Sequence, residues 1–347
     1  MAKEAGKPDR GLDGEFLDAL KNGLSKPLLS LVKADSTLML AIRDNYLNIY
    51  YRGGSLLKLA SKGGSQYQAE FNWQYAENWP PEAQGSVFSQ DEITALKERL
   101  SENDVIKTQE QVKLWLAAFP ALKQIMDIWL TKHGKSEREF QQLVVRENNF
   151  SNLANQTDYF IVDIEAAYPG ARFDLLAAKW PATQKDRRND QVSLAFIEMK
   201  YGEKALTGEA GLTKHLEDVE KFLKAPGRLS GLHETVTTQL NQLNELGLLK
   251  HTRRDDRKFK FNEDQKPEVI MLLAGYPLQS RRLGNLFQEK KDELGRYANH
   301  ERFALKFHWP HSAGYGLFCN DMITLEKFKN FLKLEPQPTG ESRNPGF

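Results

Sequence analysis

Glu198 and Lys200 stand two residues apart in SLAFIEMKYG, Ser193 to Gly202, a run that otherwise reads as a buried β-strand. Side chains alternate across a strand, so the carboxylate and the amine leave one face with Leu194 and Phe196, while Ala195, Ile197 and Met199 take the other. Apolar residues on both faces mark a central strand. Two charges at its end call for a salt bridge, a metal ion or catalysis, because an unpaired buried charge is costly. A third group lies just upstream. DYFIVDIEAAYPGARFDLLAAKWP, Asp158 to Pro181, reads as two strands joined by a turn at Tyr168, Pro169 and Gly170. Asp174 interrupts the second strand, on the face of Arg172 and Leu176, with Phe173, Leu175 and Ala177 opposite. If this strand pairs with the Glu198 strand, both carboxylates and Lys200 converge at one sheet edge or fork.

That donor set suits a hard divalent cation, Mg²⁺ or Mn²⁺, which takes a few carboxylate oxygens and leaves room for water and phosphate. Asp174 and Glu198 supply the carboxylates, and the Met199 main-chain carbonyl can add an oxygen. Such an ion acidifies a bound water and offsets charge at a phosphorus centre. Lys200 would then hold the water or the scissile phosphate as a point charge. The plain alternative is a structural ion-pair cluster.

With Asp174 in RFDLLA and Glu198-Met199-Lys200 in FIEMK, each on an expected strand and in this order, the chain resembles the PD-(D/E)XK nuclease superfamily over roughly residues 136 to 280. No proline directly precedes Asp174, a departure that lowers the specificity of the motif. The resemblance implies an α/β (α+β) fold, with a restriction endonuclease-like mixed central sheet flanked by helices. It also implies a metal-dependent endo- or exonuclease, acting on DNA in preference to RNA, in restriction, phage defence or repair. The alternative is an inactive or partner-dependent module of the same fold that binds nucleic acid. Superfamily members often carry an acidic residue on the helix before these strands. On SEREFQQLVVREN, Ser136 to Asn148, the competitors are Glu137, Glu139 and Glu147, of which Glu137 is preferred. Ser136 and Glu139 fit a capping box, a structural role for Glu139. Arg172, Lys204, Lys214 and His215 are the candidate nucleic-acid contacts, with His215 equally readable as a boundary histidine. Asp163 and Glu165 are open between a further metal ligand, a partner for Arg172, and a solvated or ion-paired role.

The elements that must position these residues follow from the rest of the chain. A length of 347 residues with 40% hydrophobic content allows one large core or two modest ones. The N-terminus has no apolar leader segment, and no stretch reaches membrane-span length. With one cysteine, Cys319, no intrachain disulfide forms, which fits the cytoplasm. Cys319 ends an expected strand, GYGLFC, as a small buried hydrophobe. The net charge of +1 gives no global pull toward nucleic acid, so binding needs a local patch. Arg187 and Arg188, the run Arg253 to Lys260, and Arg281 with Arg282 are candidates, each also readable as solvated loop. Neither a Walker loop nor zinc spacing is present; His308 and His311 lack thiolate partners.

A helix over residues 14 to 33, broken at Pro27, precedes a β-meander: Thr37 to Arg43, Tyr46 to Arg52, SLLKLAS, and Ser65 to Trp73. Its turns fall at Asp44-Asn45, Gly53-Gly54 and Gly63-Gly64. Tyr46, Tyr50, Tyr51, Arg52 and Lys58 offer a nucleic-acid face, though aromatics packed on neighbouring helices is the simpler reading. Helices cover Gln90 to Lys132, with a new one after Pro120. This N-terminal region spans 1–134, the nuclease-like domain 135–335 and a disordered tail 336–347. Within the second, helices near Thr207 to Lys224 and Leu229 to Leu246 make the crossover. A loop or hairpin spans Lys250 to Glu268, and Pro267 to Tyr276 forms a buried strand parallel to the Glu198 strand. Helix Ser280 to Tyr297, strands Arg302 to Trp309 and Gly314 to Cys319, and helix Thr324 to Leu334 finish the core. Nucleic acid is the expected partner, with a homodimer or partner protein also compatible.

Overall fold

The computed structural model describes residues 10–77, 88–134, 136–168, 170–183, 187–202, 211–252, 257–276, 281–310 and 314–332. Helices α1 (Gly14–Lys21) and α2 (Lys26–Ala34) lead into strands β1 (Leu38–Ile42), β2 (Tyr46–Tyr51), β3 (Gly54–Gly63) and β4 (Gln66–Glu70). Then come α3 (Gln90–Ser101), the short edge strand β5 (Val105–Ile106), α4 (Gln109–Lys132) and α5 (Ser136–Asn149). The second half runs β6 (Tyr159–Tyr168), β7 (Ala171–Lys179), β8 (Ser193–Tyr201), α6 (Leu212–Lys224), α7 (Arg228–Glu245) and β9 (Glu268–Ala274). It closes with α8 (Arg281–Glu289), α9 (Lys291–Gly295), β10 (Ala304–His308) and α10 (Leu325–Phe331). No described helix is long and apolar enough to cross a membrane.

The fold is mixed α/β, with two five-stranded sheets. The first is an antiparallel meander in the order β1-β2-β3-β4-β5. The loops on either side of β3 are two-residue turns with positive φ at both positions: Arg52 (47°) with Gly53 (73°), and Gly64 (60°) with Ser65 (57°). That twist matches the strands it joins. Each turn sits one residue away from the expected glycine pair, because β3 takes in both Gly54 and Gly63. The second sheet has the order β10-β9-β8-β7-β6, with β8, β9 and β10 parallel and β6, β7 and β8 antiparallel. Helices α6 and α7 make the crossover between the parallel strands β8 and β9. α6 covers one face of β8 with Leu212, Leu216, Val219 and Phe222, all buried with Phe196. α5 covers the other with Val144 and Val145, packed with Ile197 and Met199.

Several expectations give way. Pro27 opens α2 rather than breaking a longer helix, since a missing N–H is harmless in a first turn. Pro120 lies inside α4, on its exposed side, while Trp115, Phe119, Leu122 and Ile125 keep the helix buried on both sides of it. The expected helix from Ser280 to Tyr297 is two, α8 and α9. Gly314 to Cys319 is not a strand. Asn148 bonds the Tyr315 carbonyl and the Leu317 N–H, and Asp158 accepts from the Cys319 N–H, so side chains replace a ladder there. Part of the charged stretch after Lys250 is pinned: Phe259 and Phe261 are buried and residues 260–262 bond Asn189 and Val192. The tail 336–347 lies outside the described residues.

Candidate active site

Strands β7 and β8 run in register from Lys179↔Ser193 to Leu175↔Ile197, and the pairing ends there. Asp174 and Glu198 are the next residues on each strand, so they stand at the point where the strands part. In place of a backbone partner, the Met199 N–H donates to Asp174 Oδ2 at 2.9 Å. Glu137, at the start of α5, lies near the same edge, where the Tyr201 backbone favours its ionised form against burial. The Asp174 carboxylate thus continues the ladder past the end of its backbone pairing. A residue's N–H and C=O leave an extended strand on the same side, so the Met199 carbonyl also faces the fork.

The divergence has a local cause. Register places Glu165 on β6 opposite Asp174, between the pairs Ile164↔Leu175 and Ala166↔Phe173. Glu165 has φ 49°, a left-handed conformation that costs a non-glycine residue about 1 kcal/mol or more. Arg138 and Arg172 both bond its carboxylate and hold it there. Side-chain alternation on β7 breaks at this level: Phe173 packs with Phe196 and Phe222, whereas Leu175 and Ala177 join the α5 side. The expected grouping of Phe173 with Leu175 and Ala177 is therefore corrected.

Behind Asp174, Glu198 and Lys200 are buried, 7% and 3% exposed, and paired at 2.7 Å. Asp174 is half-buried, at the mouth. Burial, then the neighbouring Asp174 charge, pushes the Glu198 carboxyl well above the carboxylate range, and the two side chains share a hydrogen bond. Burial also raises Asp174, with Lys200 pulling the other way. Glu137 is raised by burial and by Asp174. Two carboxyls in contact must share either a proton or a cation.

The residues fit a divalent cation of the Mg²⁺ class. The donors at the mouth are oxygens: Asp174, Glu198 and the Met199 carbonyl, with Glu137 beside them. Among the described residues no set of three or more His, Cys, Asp or Glu side chains is drawn together to hold a metal ion. An open site with two carboxylates is the arrangement of an ion that keeps its waters, rather than of a caged zinc.

The structure sorts the remaining candidates. Glu137 is at the fork. Glu139 is held by Arg52 at 2.9 Å; the capping box expected of it involves the Ser136 side chain, which lies outside the described residues. Glu147, ten residues along α5 from Glu137, lines a separate cleft with Trp309 and Phe331. Asp163 is fully buried and paired with Arg10 and Arg43, which removes it from the metal-ligand reading. Glu165 is the partner of Arg172. Lys214 pairs with Asp218 at 2.8 Å, one turn along α6. Lys204, Arg253, Arg254 and His311 lie outside the described residues. Arg187 is not a surface cation: it stacks on Trp180 and donates to the Thr157 carbonyl. On the meander, Lys58 lies over Tyr46 and Lys123 over Tyr51.

His215 is where the sequence reading falls short. Its Nδ1 lies 3.0 Å from Glu198 Oε1, so it touches the site carboxylate. The signal available was its place in the first turn of the helix after the site strand, beside an apolar stripe. That first turn begins at Gly211 without a side-chain cap. No family model, curated protein or solved structure matches the chain.

Proposed function

We propose that the chain is a metal-dependent nuclease that hydrolyses phosphodiester bonds, with DNA as substrate. The observation that carries this reading is the fork itself. Two carboxylates from diverging strands meet over a buried lysine, where a structural pair would need neither the second carboxylate nor the break in the ladder. Asp174 and Glu198 would hold Mg²⁺ or Mn²⁺ with the Met199 carbonyl, and Glu137 would support them from α5. A divalent cation bound there supplies charge neutralisation at phosphorus and a more acidic water. Lys200 places a positive charge beside the attacked phosphate or the attacking water. Water adds to phosphorus, the bond to the leaving oxygen breaks, and that oxygen takes up a proton. The setting we propose is restriction, phage defence or repair in the cytoplasm.

The test is cleavage of linear, circular and single-stranded DNA and of RNA, with Mg²⁺ or Mn²⁺, by wild type, Asp174→Asn and Lys200→Ala. Each variant should lose about 10²-fold or more of the rate, the scale of removing one preorganised electrostatic contact. Nucleic-acid binding without cutting, unchanged in Asp174→Asn, would replace the nuclease by a binding module of the same fold.

A further inference from the structure

We infer that His215 is a positioning residue that fixes Glu198 for the divalent cation, an inference that rests on the nuclease reading above. Glu198 Oε1 receives two donors, Lys200 Nζ at 2.7 Å and His215 Nδ1 at 3.0 Å. They come from different directions. Lys200 shares β8 with Glu198, so their pair moves with the strand and does not by itself fix the carboxylate against β7. His215 belongs to α6, which is anchored across the sheet by Leu212 and Leu216, 3% and 0% exposed. A donor on the covering helix sets the rotation of the carboxylate relative to Asp174. A carboxylate pinned through one oxygen can offer its other oxygen to an ion.

The contact commits Nδ1 to Glu198. Lys214, the neighbouring cation, is turned to Asp218 and does not compete for the carboxylate. With Glu198 ionised, Nδ1 carries the proton and donates it. Second-sphere hydrogen bonds to a ligating carboxylate are worth about 10- to 100-fold in metal affinity.

The experiment is calorimetric titration of the full chain with Mn²⁺, for wild type, His215→Ala and His215→Asn, with a melting curve for each. An asparagine amide N–H reaches the place of Nδ1, whereas a glutamine donor sits one bond further out. Weakening of Mn²⁺ binding by about 10- to 100-fold in His215→Ala, with recovery in His215→Asn, supports the inference. Equal Mn²⁺ affinity in wild type and His215→Ala overturns it and leaves the nuclease reading standing. A wild type that binds no Mn²⁺ overturns both. If His215→Ala melts early, His215→Asn and His215→Gln decide: tight binding by the first alone supports positioning, and equal binding by the two overturns it. A directly coordinated nitrogen in the pulsed EPR of the Mn²⁺ complex, lost in His215→Ala, would also overturn it by making His215 a ligand.

Discussion

Cys319 lies half-buried at the end of the sheet opposite the fork, its Sγ 3.9 Å from the Tyr159 hydroxyl. Burial pushes its thiol up to about 11, with Lys179 acting against the shift. Near neutral pH the folded chain then holds roughly a hundredfold less thiolate at this position than the unfolded chain, and the thiolate is the reactive form. Iodoacetamide at pH 8 should therefore label the native protein far more slowly than the urea-unfolded protein, as read by mass spectrometry; equal rates would make Cys319 an accessible thiol. The fork carries the opposite chemistry with the same physics. Burial raises Glu198, Asp174 and Glu137 together, and the Asp174 charge adds to the rise of Glu198 and Glu137, which a cation can relieve. At Cys319 the Asp158 and Glu268 charges add to burial, and the shift makes the thiol inert.

Helix α5 links the meander to the fork, and one glycine sets their approach. Gly53, at φ 73°, lies so close to α5 that a Cβ would stand 2.5 Å from the Arg138 carbonyl carbon. Its N–H donates to Gln142 Oε1 at 2.7 Å, and the same side chain donates to the Thr37 carbonyl. Gly53→Ala should cost about 1–3 kcal/mol through the strained φ alone. It should also lower activity at temperatures where the fold persists, because Arg138 adjoins Glu137. Urea melts and cleavage rates of the one variant check both effects. A second element reports through pH. His233 on α7 is 4% exposed and stacks on Phe261, and burial pushes its pKa below the ordinary 6.5. The unfolded chain binds a proton near 6.5 that the folded chain resists, so stability falls as pH drops through and below that value. His233→Gln should flatten this acid limb in urea melts at pH 7 and pH 5; an unchanged slope would assign the limb elsewhere. These elements also mark how far the sequence could be read. The site strand and its antiparallel predecessor were legible because charges interrupt otherwise apolar runs, and the parallel β9 because its run is apolar throughout after Glu268. Glu137 was found by its place on α5. The break in alternation at Asp174 was not legible, because it follows from the left-handed Glu165 on another strand. Nor was the contact of His215 with Glu198, which depends on how α6 docks. Gly314 to Cys319 reads as a strand by pattern and is held instead by Asn148 and Asp158, more than 160 positions away in the chain.

At the scale of the molecule, one buried charge ties the two sheets together. Asp163 on β6 is fully buried and takes Arg43, next to β1, and Arg10, at 2.8 Å, from the segment before α1. Gln239 of α7 donates to Asp163 at 3.1 Å and to the Ile42 carbonyl at 3.0 Å. Arg43 also donates to the Ile164 carbonyl at 2.9 Å, and the Asp163 charge raises its already high proton affinity against the desolvation that lowers it. Four segments far apart in sequence therefore converge on a single carboxylate. Replacing it by an amide leaves the Arg43 guanidinium buried without a counter-charge, a change that costs about 3–5 kcal/mol where a buried pair loses one partner. Arg10, at the rim, can turn toward solvent, which limits the loss to the lower part of that range. Asp163→Asn should thus lower the urea midpoint of the whole chain. The two halves carry their own probes, Trp115 on α4 and Trp180 after β7, both buried. Single-tryptophan versions of each should report the same shifted midpoint, because one apolar cluster runs from Phe16 and Leu47 in the first half to Phe196 and Phe222 in the second. Midpoints that separate, with only Trp115 moving, would mean that the meander unfolds by itself once Asp163 no longer holds it. The fork should then keep its metal binding under conditions in which the first sheet is lost.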